Sequence, residues 1–230
     1  MSWEPYRNAA LLSASELRRR YADGERDFSG IILESMADLG GVNLAKANLR
    51  GARLRGVNLH GANLIKTVLA GASLRDADLS RANLVWADLT HAVLSGANLG
   101  GTNLRGASLH GADLSGANLT RAVLREADLY EANLTDAVLR GARLRKASLL
   151  WANLTNADLT NAGLSEARLL WANICGAILT GTNLYGAALN GARYDGKTRF
   201  PGWVFSAYRD MQEMSNVDNA GAAGSEEGYY

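Results

Sequence analysis

A bulky apolar residue falls on every fifth position from Leu39 to Tyr194 without a miss. These 32 positions hold 30 leucines, Ile174 and Tyr194, and a small residue, alanine in 27 cases, stands two positions before each of them. On an α-helix, a five-residue step rotates by about 140°, so the leucines would point in every direction. On a straight strand, an odd step places successive leucines on opposite faces. The chain can bury all of them only by turning inward once per repeat, which predicts a repeat solenoid.

The repeated pattern, A-(N/D)-L-x-x, resembles that of the pentapeptide-repeat family over about two thirds of the chain. The resemblance implies an all-β fold: a right-handed quadrilateral parallel β-helix with one pentapeptide per side and four per coil. The small residue and the leucine then face inward. About eight coils at about 4.8 Å each give a rod roughly 38 Å long, in which residues n and n+20 lie above one another. Glycine fills 16 of the 32 positions two after the leucine, where it eases a corner or leaves a bare surface.

The N-terminal end of such a rod needs a cover, because an open coil exposes strand edges. Residues 13–22 are predicted to form a short helix, since Ser13 and Glu16 have capping-box spacing and Gly24 follows as a stop. We therefore expect an N-terminal helical cap at 1–27, whose sequence LRRRYADGERDF is similar to the N-terminal segment of cyanobacterial members of the family. The five-residue step resumes at Phe28, so the β-helix is predicted over 28–196. The six-residue step from Leu33 to Leu39 predicts one extra residue, a bulge, in the first coil.

The C-terminal end carries an aromatic segment at 197–213, with Phe200, Trp203, Val204, Phe205 and Tyr208. These side chains are predicted to form a lid on the last coil. The alternative is that the same cap joins two rods end to end in a homodimer. The Asn, Gly, Ala and Glu composition of 214–230 predicts a disordered tail.

Charge and composition narrow the function classes. A single cysteine excludes an intramolecular disulfide and is compatible with a reducing compartment. There is no N-terminal apolar segment and no run of 18 apolar residues, so neither secretion nor a membrane span is indicated and a cytoplasmic location is expected. Residues 37–196 contain 16 Lys and Arg against 12 Asp and Glu, a net charge of about +4. Some family members mimic duplex DNA and bind type II topoisomerases, which requires an acidic rod, so this role is disfavoured here.

No catalytic motif, cofactor site or metal site is predicted, and an enzyme is not expected. His91 and His110 share a face with Asp88 and Asp128, where a metal or acid–base cluster is the alternative to a polar surface. Cys175 follows Ile174 directly and is expected to point outward, as an unactivated thiol. The GxxxxG spacings are the repeat itself and indicate no phosphate loop.

Asparagines recur at 20-residue intervals in two columns. We expect their amides to form hydrogen-bonded ladders along the stacking direction, a structural role rather than a ligand site. The columns are Asn43, Asn63, Asn83 and Asn103, and Asn133, Asn153 and Asn173.

One apolar surface group is predicted to bind a protein partner, which the sequence does not identify. Its members are Tyr130, Leu150, Trp151, Leu170 and Trp171. Exposed apolar patches often mark interfaces, and tryptophan and tyrosine are frequent anchors there. The alternative is that the stacked side chains only stabilise the ladder.

An arginine stripe raises a second hypothesis, anion or nucleic-acid binding. Its members are Arg105, Arg125, Arg143 and Arg145, beside Lys146. Because Glu126 and Glu166 partly neutralise this face, a solvated surface is favoured and nucleic acid is not the expected partner.

Overall fold

The computed structural model describes residues 11–202 and 211–213. Its elements are β1 (Leu11–Leu12), α1 (Ala14–Ala22), β2 (Ile32–Leu33), β3 (Arg193–Tyr194) and β4 (Gln212–Glu213). Strand β1 pairs in parallel with β2, and β3 pairs in parallel with β4. The aromatic-cap residues Trp203, Val204, Phe205 and Tyr208, and the tail predicted at 214–230, lie outside the described residues.

Between β2 and β3 the chain forms a parallel solenoid in which each repeat contributes a single bridging residue. This residue, between the small residue and the leucine, pairs with the one 20 positions further on, as in Asp113↔Asn133. The Leu114 amide donates to the Asn133 carbonyl at 2.7 Å, and the Asn133 amide donates to the Ala112 carbonyl at 2.9 Å. Each coil therefore holds four repeats, hydrogen-bonded to the coils above and below. The solenoid predicted from the spacing is confirmed.

The interior is a continuous apolar column. Every leucine of the repeat from Leu39 to Leu189, and Ile174 with them, is at most 1% exposed. Three buried threonines replace alanine at the small position. Their hydroxyls donate to carbonyls of the preceding coil at 2.7–2.9 Å, so each of these three buried hydroxyls has an acceptor. These residues are Thr67, Thr102 and Thr182.

Helix α1 lies against the first coil. Its N-cap is Ser13, whose hydroxyl accepts the Glu16 amide at 3.2 Å. Leu17 is fully buried in the core, and the Tyr21 hydroxyl donates to the Ala45 carbonyl at 2.9 Å. The helix therefore buries an apolar side chain on the end of the column and hydrogen-bonds to its rim.

The first coil contains one extra residue, as the six-residue step predicts. Bridges Asp27↔Asn48 and Ile32↔Arg53 span 21 positions, whereas Asp38↔Asn58 and those after it span 20 through Asn173↔Arg193. The insertion therefore lies between Ile32 and Asp38.

The asparagine ladders differ from the expectation. In the column from Asn43 to Asn103, each Oδ1 accepts the backbone amide two residues further on, at 3.2–3.3 Å. Within residues 11–202, no hydrogen bond joins the amides of that column to one another. The corner amide is the nearer partner, and each asparagine closes its own turn instead. Ladder bonds form in a mixed column, where Asn118 donates to Asn98 at 3.1 Å and Asn98 donates to Asp78 at 3.0 Å.

Corners are built by a left-handed residue two positions after each leucine. From Gly41 to Gly191 this position always has positive φ, between 54° and 70°. Glycine adopts this conformation freely, whereas other L-residues lose about 1–2 kcal/mol there. Sixteen of the corner residues from 41 to 191 are not glycine, so the rod carries distributed backbone strain that substitution can relieve.

We expect Lys66→Gly to raise the free energy of unfolding by about 0.5–1 kcal/mol, because Lys66 is exposed at φ 56°. The matched change is Gly61→Ala at φ 62°, where nothing lies within 4 Å of an added Cβ. It introduces only backbone strain and should lower stability by about 1 kcal/mol. Urea midpoints measure both, and shifts of the same sign would contradict the explanation.

Candidate protein-binding surface

Two stacked tryptophans dominate one corner of the rod. The rings of Trp151 and Trp171 lie 5.6 Å apart at 13°. Both residues have the left-handed corner conformation, and they remain 54% and 46% exposed. At Gly191, one coil further on, a Cβ would lie 2.4 Å from the Trp171 ring. The glycine therefore gives the indole room to lie flat along the corner.

Leu150, Leu170 and Tyr130 are half-buried beside the tryptophans, one position earlier in each repeat. The structure thus brings together the five predicted contact residues, which we call the aromatic corner: Tyr130, Leu150, Trp151, Leu170 and Trp171.

The aromatic corner continues toward the N-terminus through two histidines. The Tyr130 ring stacks on His110 at 4.9 Å and 6°, and His110 meets His91 edge-on at 5.3 Å. The sequence placed these two histidines on one face, as a polar surface or a metal or acid–base cluster, and did not connect them with Tyr130, although His110 precedes Tyr130 by one coil. In the described part of the chain, no three His, Cys, Asp or Glu side chains are grouped to hold a metal ion. The histidines therefore extend an aromatic stack.

The arginines lie at the neighbouring corner, together with two glutamates. We call Arg105, Arg125, Arg145 and Lys146 the basic corner. Glu126 pairs with Arg105 at 3.8 Å, and Glu166 pairs with Arg145 at 2.8 Å and with Lys146 at 3.5 Å. The hydrogen bond from Arg145 lowers the pKa of the Glu166 carboxyl. Arg125 has no ion pair within residues 11–202.

A shallow depression of about 230 Å³ lies on the basic corner, lined by its four cations and Glu126. Arg143 does not line it. That residue belongs to the bridge ladder of the preceding side, between Val123 and Gly163. The predicted stripe is therefore divided between a corner and a side, and Lys146 rather than Arg143 completes the cationic group.

Cys175 is buried, whereas an outward-facing position after Ile174 would leave it exposed. It is only 2% exposed because the turn from Asp195 to Thr198 folds over its corner. There the Gly176 amide donates to the Asp195 carboxylate at 2.8 Å. Burial, followed by the negative charge of Asp195, raises the pKa of the Cys175 thiol. The thiol is therefore shielded and protonated at neutral pH.

Three half-buried or buried aspartates accept hydrogen bonds from the repeat itself. Burial raises the pKa of the Asp158 carboxyl, but hydrogen bonds from Thr160 and Arg140 outweigh it, and the net pKa lies below the usual 3.8. At Asp195 burial is outweighed in the same way, by the Gly176 and Thr198 donors. Asp78 is the third such group, with donors on Ser80. All three carboxylates stabilise the folded chain in their ionised form.

Acid should therefore destabilise the rod. A carboxyl whose pKa is lower in the folded state contributes stability above its unfolded pKa, near 3.8 here, and loses it as pH falls through the folded value. We expect urea midpoints to be level from about pH 5 to pH 7 and to fall below about pH 4. Asp195→Asn should lower the midpoint at pH 7 and flatten its acid dependence. An unchanged acid dependence in this variant would exclude Asp195 as a contributor.

Within residues 11–202 and 211–213, no helix has both the length and the apolar character needed to cross a membrane.

A family model described as "Pentapeptide repeats (8 copies)" matches the sequence at residues 35–69, 58–96, 87–125, 122–161 and 152–191. Comparison with curated proteins gives no match.

Solved structures similar to the chain include two pentapeptide repeat proteins, HetL and Rfr23, and the resistance protein QnrB1. HetL, involved in heterocyst differentiation regulation in the cyanobacterium Nostoc sp. strain PCC 7120, is 32% identical, with 79% of this chain and 96% of that chain covered and a TM-score of 0.49. Rfr23 from the cyanobacterium Cyanothece 51142 is 28% identical, with 81% and 98% covered and a TM-score of 0.24. QnrB1, a plasmid-mediated fluoroquinolone resistance protein, is 22% identical, with 75% and 86% covered and a TM-score of 0.47.

Proposed function

Because this chain belongs to the pentapeptide repeat family, we propose that it is a non-catalytic scaffold that binds a protein partner on the aromatic corner. The observation that carries the proposal is the half-exposed stack of Trp151 on Trp171. Tryptophan is a common anchor of protein interfaces, and these two side chains are already ordered. Covering these side chains with a partner therefore costs little of their conformational entropy.

The finer architecture belongs to the same proposal. We infer a right-handed, four-sided coil of about eight turns over 28–196, with the helical cap at 1–27 and the aromatic cap at 197–213. The 20-residue bridges and the buried Leu17 support it. A cytosolic location and an end-to-end homodimer through the aromatic cap stay predictions. Cell fractionation and sedimentation velocity, respectively, test them.

A double variant, Trp151→Ala/Trp171→Ala, tests the partner-binding role. Removing one interface anchor costs about 2 kcal/mol, so affinity should fall at least about thirty-fold while the circular dichroism spectrum stays native. The readout is recovery of partners from native lysate on the immobilised chain. The matched control is Trp86→Ala, an exposed tryptophan in the same left-handed conformation at another corner.

Unchanged recovery by the double variant would mean that the stack only stabilises the ladder. Equal loss in Trp86→Ala would mean that binding is not confined to the aromatic corner.

A second candidate function is anion binding at the basic corner. It is favoured by the depression lined with four cations and by Arg125, which has no ion pair within residues 11–202. We expect a labelled single-stranded oligonucleotide to bind at low ionic strength and to be released by salt. Arg125→Ala/Arg145→Ala should abolish this binding, whereas the exposed Arg121→Ala should retain it. Absence of binding at low ionic strength removes the candidate.

Mimicry of DNA stays disfavoured, since residues 37–196 carry a net charge of about +4.

A further inference from the structure

One side of the solenoid joins the basic corner to the aromatic corner. Residues 145–151 cross it, beginning with Arg145 and Lys146 at one corner and ending with Leu150 and Trp151 at the next. Between them Ala147 and Leu149 are fully buried, so only Ser148 faces outward. In the following coil Arg168 bridges to Ser148 and lies between Glu166 and Leu170. We call this surface the 145–171 side.

The charge on the 145–171 side is unequally distributed. Its cations are Arg145, Lys146 and Arg168, and Arg125 lies beside them in the coil below. The nearby carboxylates are Glu126 and Glu166, Asp128, whose Oδ1 accepts the Tyr130 amide at 3.1 Å, and Glu131, which is exposed one coil below Trp151. Within residues 11–202 neither Arg125 nor Arg168 has an ion pair. One edge of this side therefore attracts carboxylates, and the opposite edge is apolar and aromatic apart from Glu131.

A segment of the same chain has the complementary chemistry. Residues 214–230 contain Asp218, Glu226 and Glu227 and no lysine or arginine. After the two glutamates and one glycine come Tyr229 and Tyr230. Three extended residues, from Glu227 to Tyr230, span about 10 Å. The four residues from Lys146 to Leu150 span about 13 Å at most, so the acidic pair and the tyrosine pair are spaced to match the two edges.

The connecting chain is long enough. Glu213 is paired with Tyr194 at the C-terminal end of the rod. Glu226 lies thirteen residue steps further on, a distance of about 43 Å when the chain is extended. Measured from Glu213, the coil of Lys146 lies between three and four coils away, about 16 Å along the axis, and two sides around the rod add roughly 25 Å. An intramolecular contact therefore requires no part of the solenoid to open.

We propose that residues 226–230 dock across the 145–171 side of their own chain. Glu226 and Glu227 pair with the cations at Lys146, Arg145 and Arg168, and the tyrosines cover Leu150 and Trp151. This inference deepens the proposed function, because the docked segment covers the partner surface and a partner must displace it. The contact is electrostatic at one edge and is therefore weakened by salt.

A spin label on the tail tests this contact in the full chain. Ser225→Cys is labelled with a nitroxide, which reacts there because Cys175 is only 2% exposed. In the ¹⁵N-labelled protein we expect loss of intensity at the Trp151 and Trp171 indoles and at Arg145 Nε. Reduction of the label restores these signals. Intensity loss confined to the end of the rod, around Arg193 and Tyr194, or no loss at all, overturns the proposal.

Matched variants separate the charge contact from mere proximity. Glu226→Gln/Glu227→Gln and 0.5 M NaCl (roughly a 4 Å screening length) should restore the Trp151 and Trp171 signals, whereas Asp218→Asn should not. A further control mixes spin-labelled ¹⁴N chain with ¹⁵N chain that carries no spin label. The indole signals of the ¹⁵N chain must stay intact, since intensity loss caused by a spin label on another molecule contradicts docking within one chain. The result is independent of any partner. If the spin label shows no contact while Trp151→Ala/Trp171→Ala still loses partners, only the tail inference fails.

Discussion

A Leu114→Asp chain is expected to lose the native solenoid in its central coils. Leu114 is fully buried, and so are Leu94 and Leu134 in the coils below and above it. A carboxylate there would have apolar neighbours on every side and no cation, so ionisation is very costly and even the protonated form lacks partners. The loss should exceed about 5 kcal/mol, beyond the range of about 2–5 kcal/mol expected for Leu114→Ala.

Position in the rod increases the effect. In a solenoid each coil is stabilised mainly by its two neighbours, so a broken central coil separates the array into two shorter ones with new exposed ends. Circular dichroism and urea midpoints measure the loss. The control is Ser115→Asp, one residue further on at an outward-facing corner position, which should stay within about 0.5 kcal/mol of wild type. Equal midpoints for the two variants would contradict an inward-facing Leu114.

Overpacking the same coil should be nearly as damaging. Ala112 is fully buried, two residues before Leu114, and its Cβ shares the interior with the leucines of its own coil. Ala112→Leu adds three carbon atoms to an interior at crystalline packing density, which forces strained rotamers or backbone movement. The coil cannot expand freely, because the Ala112 carbonyl accepts the Asn133 amide at 2.9 Å and the Ala112 amide donates to Leu109 at 3.0 Å. We expect a loss of about 3 kcal/mol.

The same substitution outside the column gives the comparison for Ala112→Leu. Ala45→Leu changes the position after a leucine, where Leu150 and Leu170 occur naturally and are half-buried. It should alter the urea midpoint little. Val42 and Val57 occupy the small position near the N-terminus, so Ala112→Val should be milder than Ala112→Leu. If Ala112→Leu and Ala45→Leu have the same urea midpoint, the small position is not packed as described.

Much of the surface could be predicted because the repeat converts sequence distance into spatial distance. Residues 20 apart lie above one another, so the column of Tyr130, Leu150 and Leu170 follows from numbering alone. The shift from 21 to 20 in the bridges likewise follows from the single six-residue step after Leu33. The stacking of Tyr130 on His110 follows from the same arithmetic, but the histidines were considered only as a polar surface or as a metal or acid–base cluster.

Other features depend on which groups compete for the same partner. Asn63 could bond to the next coil or to its own corner amide, and only the folded geometry shows that the Ile65 amide is the nearer donor. Glu166 likewise forms ion pairs with both Arg145 and Lys146, and only the folded geometry shows which nearby cations it contacts. Spacing in the sequence fixes which residues are neighbours but not which of them form the bond.

The five-residue period by itself determined the buried column, because regular backbone hydrogen bonding between coils leaves no other way to bury every leucine. With the four repeats per coil that the family resemblance implies, the same numbering gave the stacking register and the aromatic corner. The tertiary structure alone decided the burial of Cys175 and the hydrogen-bond partners of the asparagines. These features arise where the chain leaves the repeat or where several polar groups compete within a few ångströms. Their outcome therefore depends on distances that the folded backbone sets.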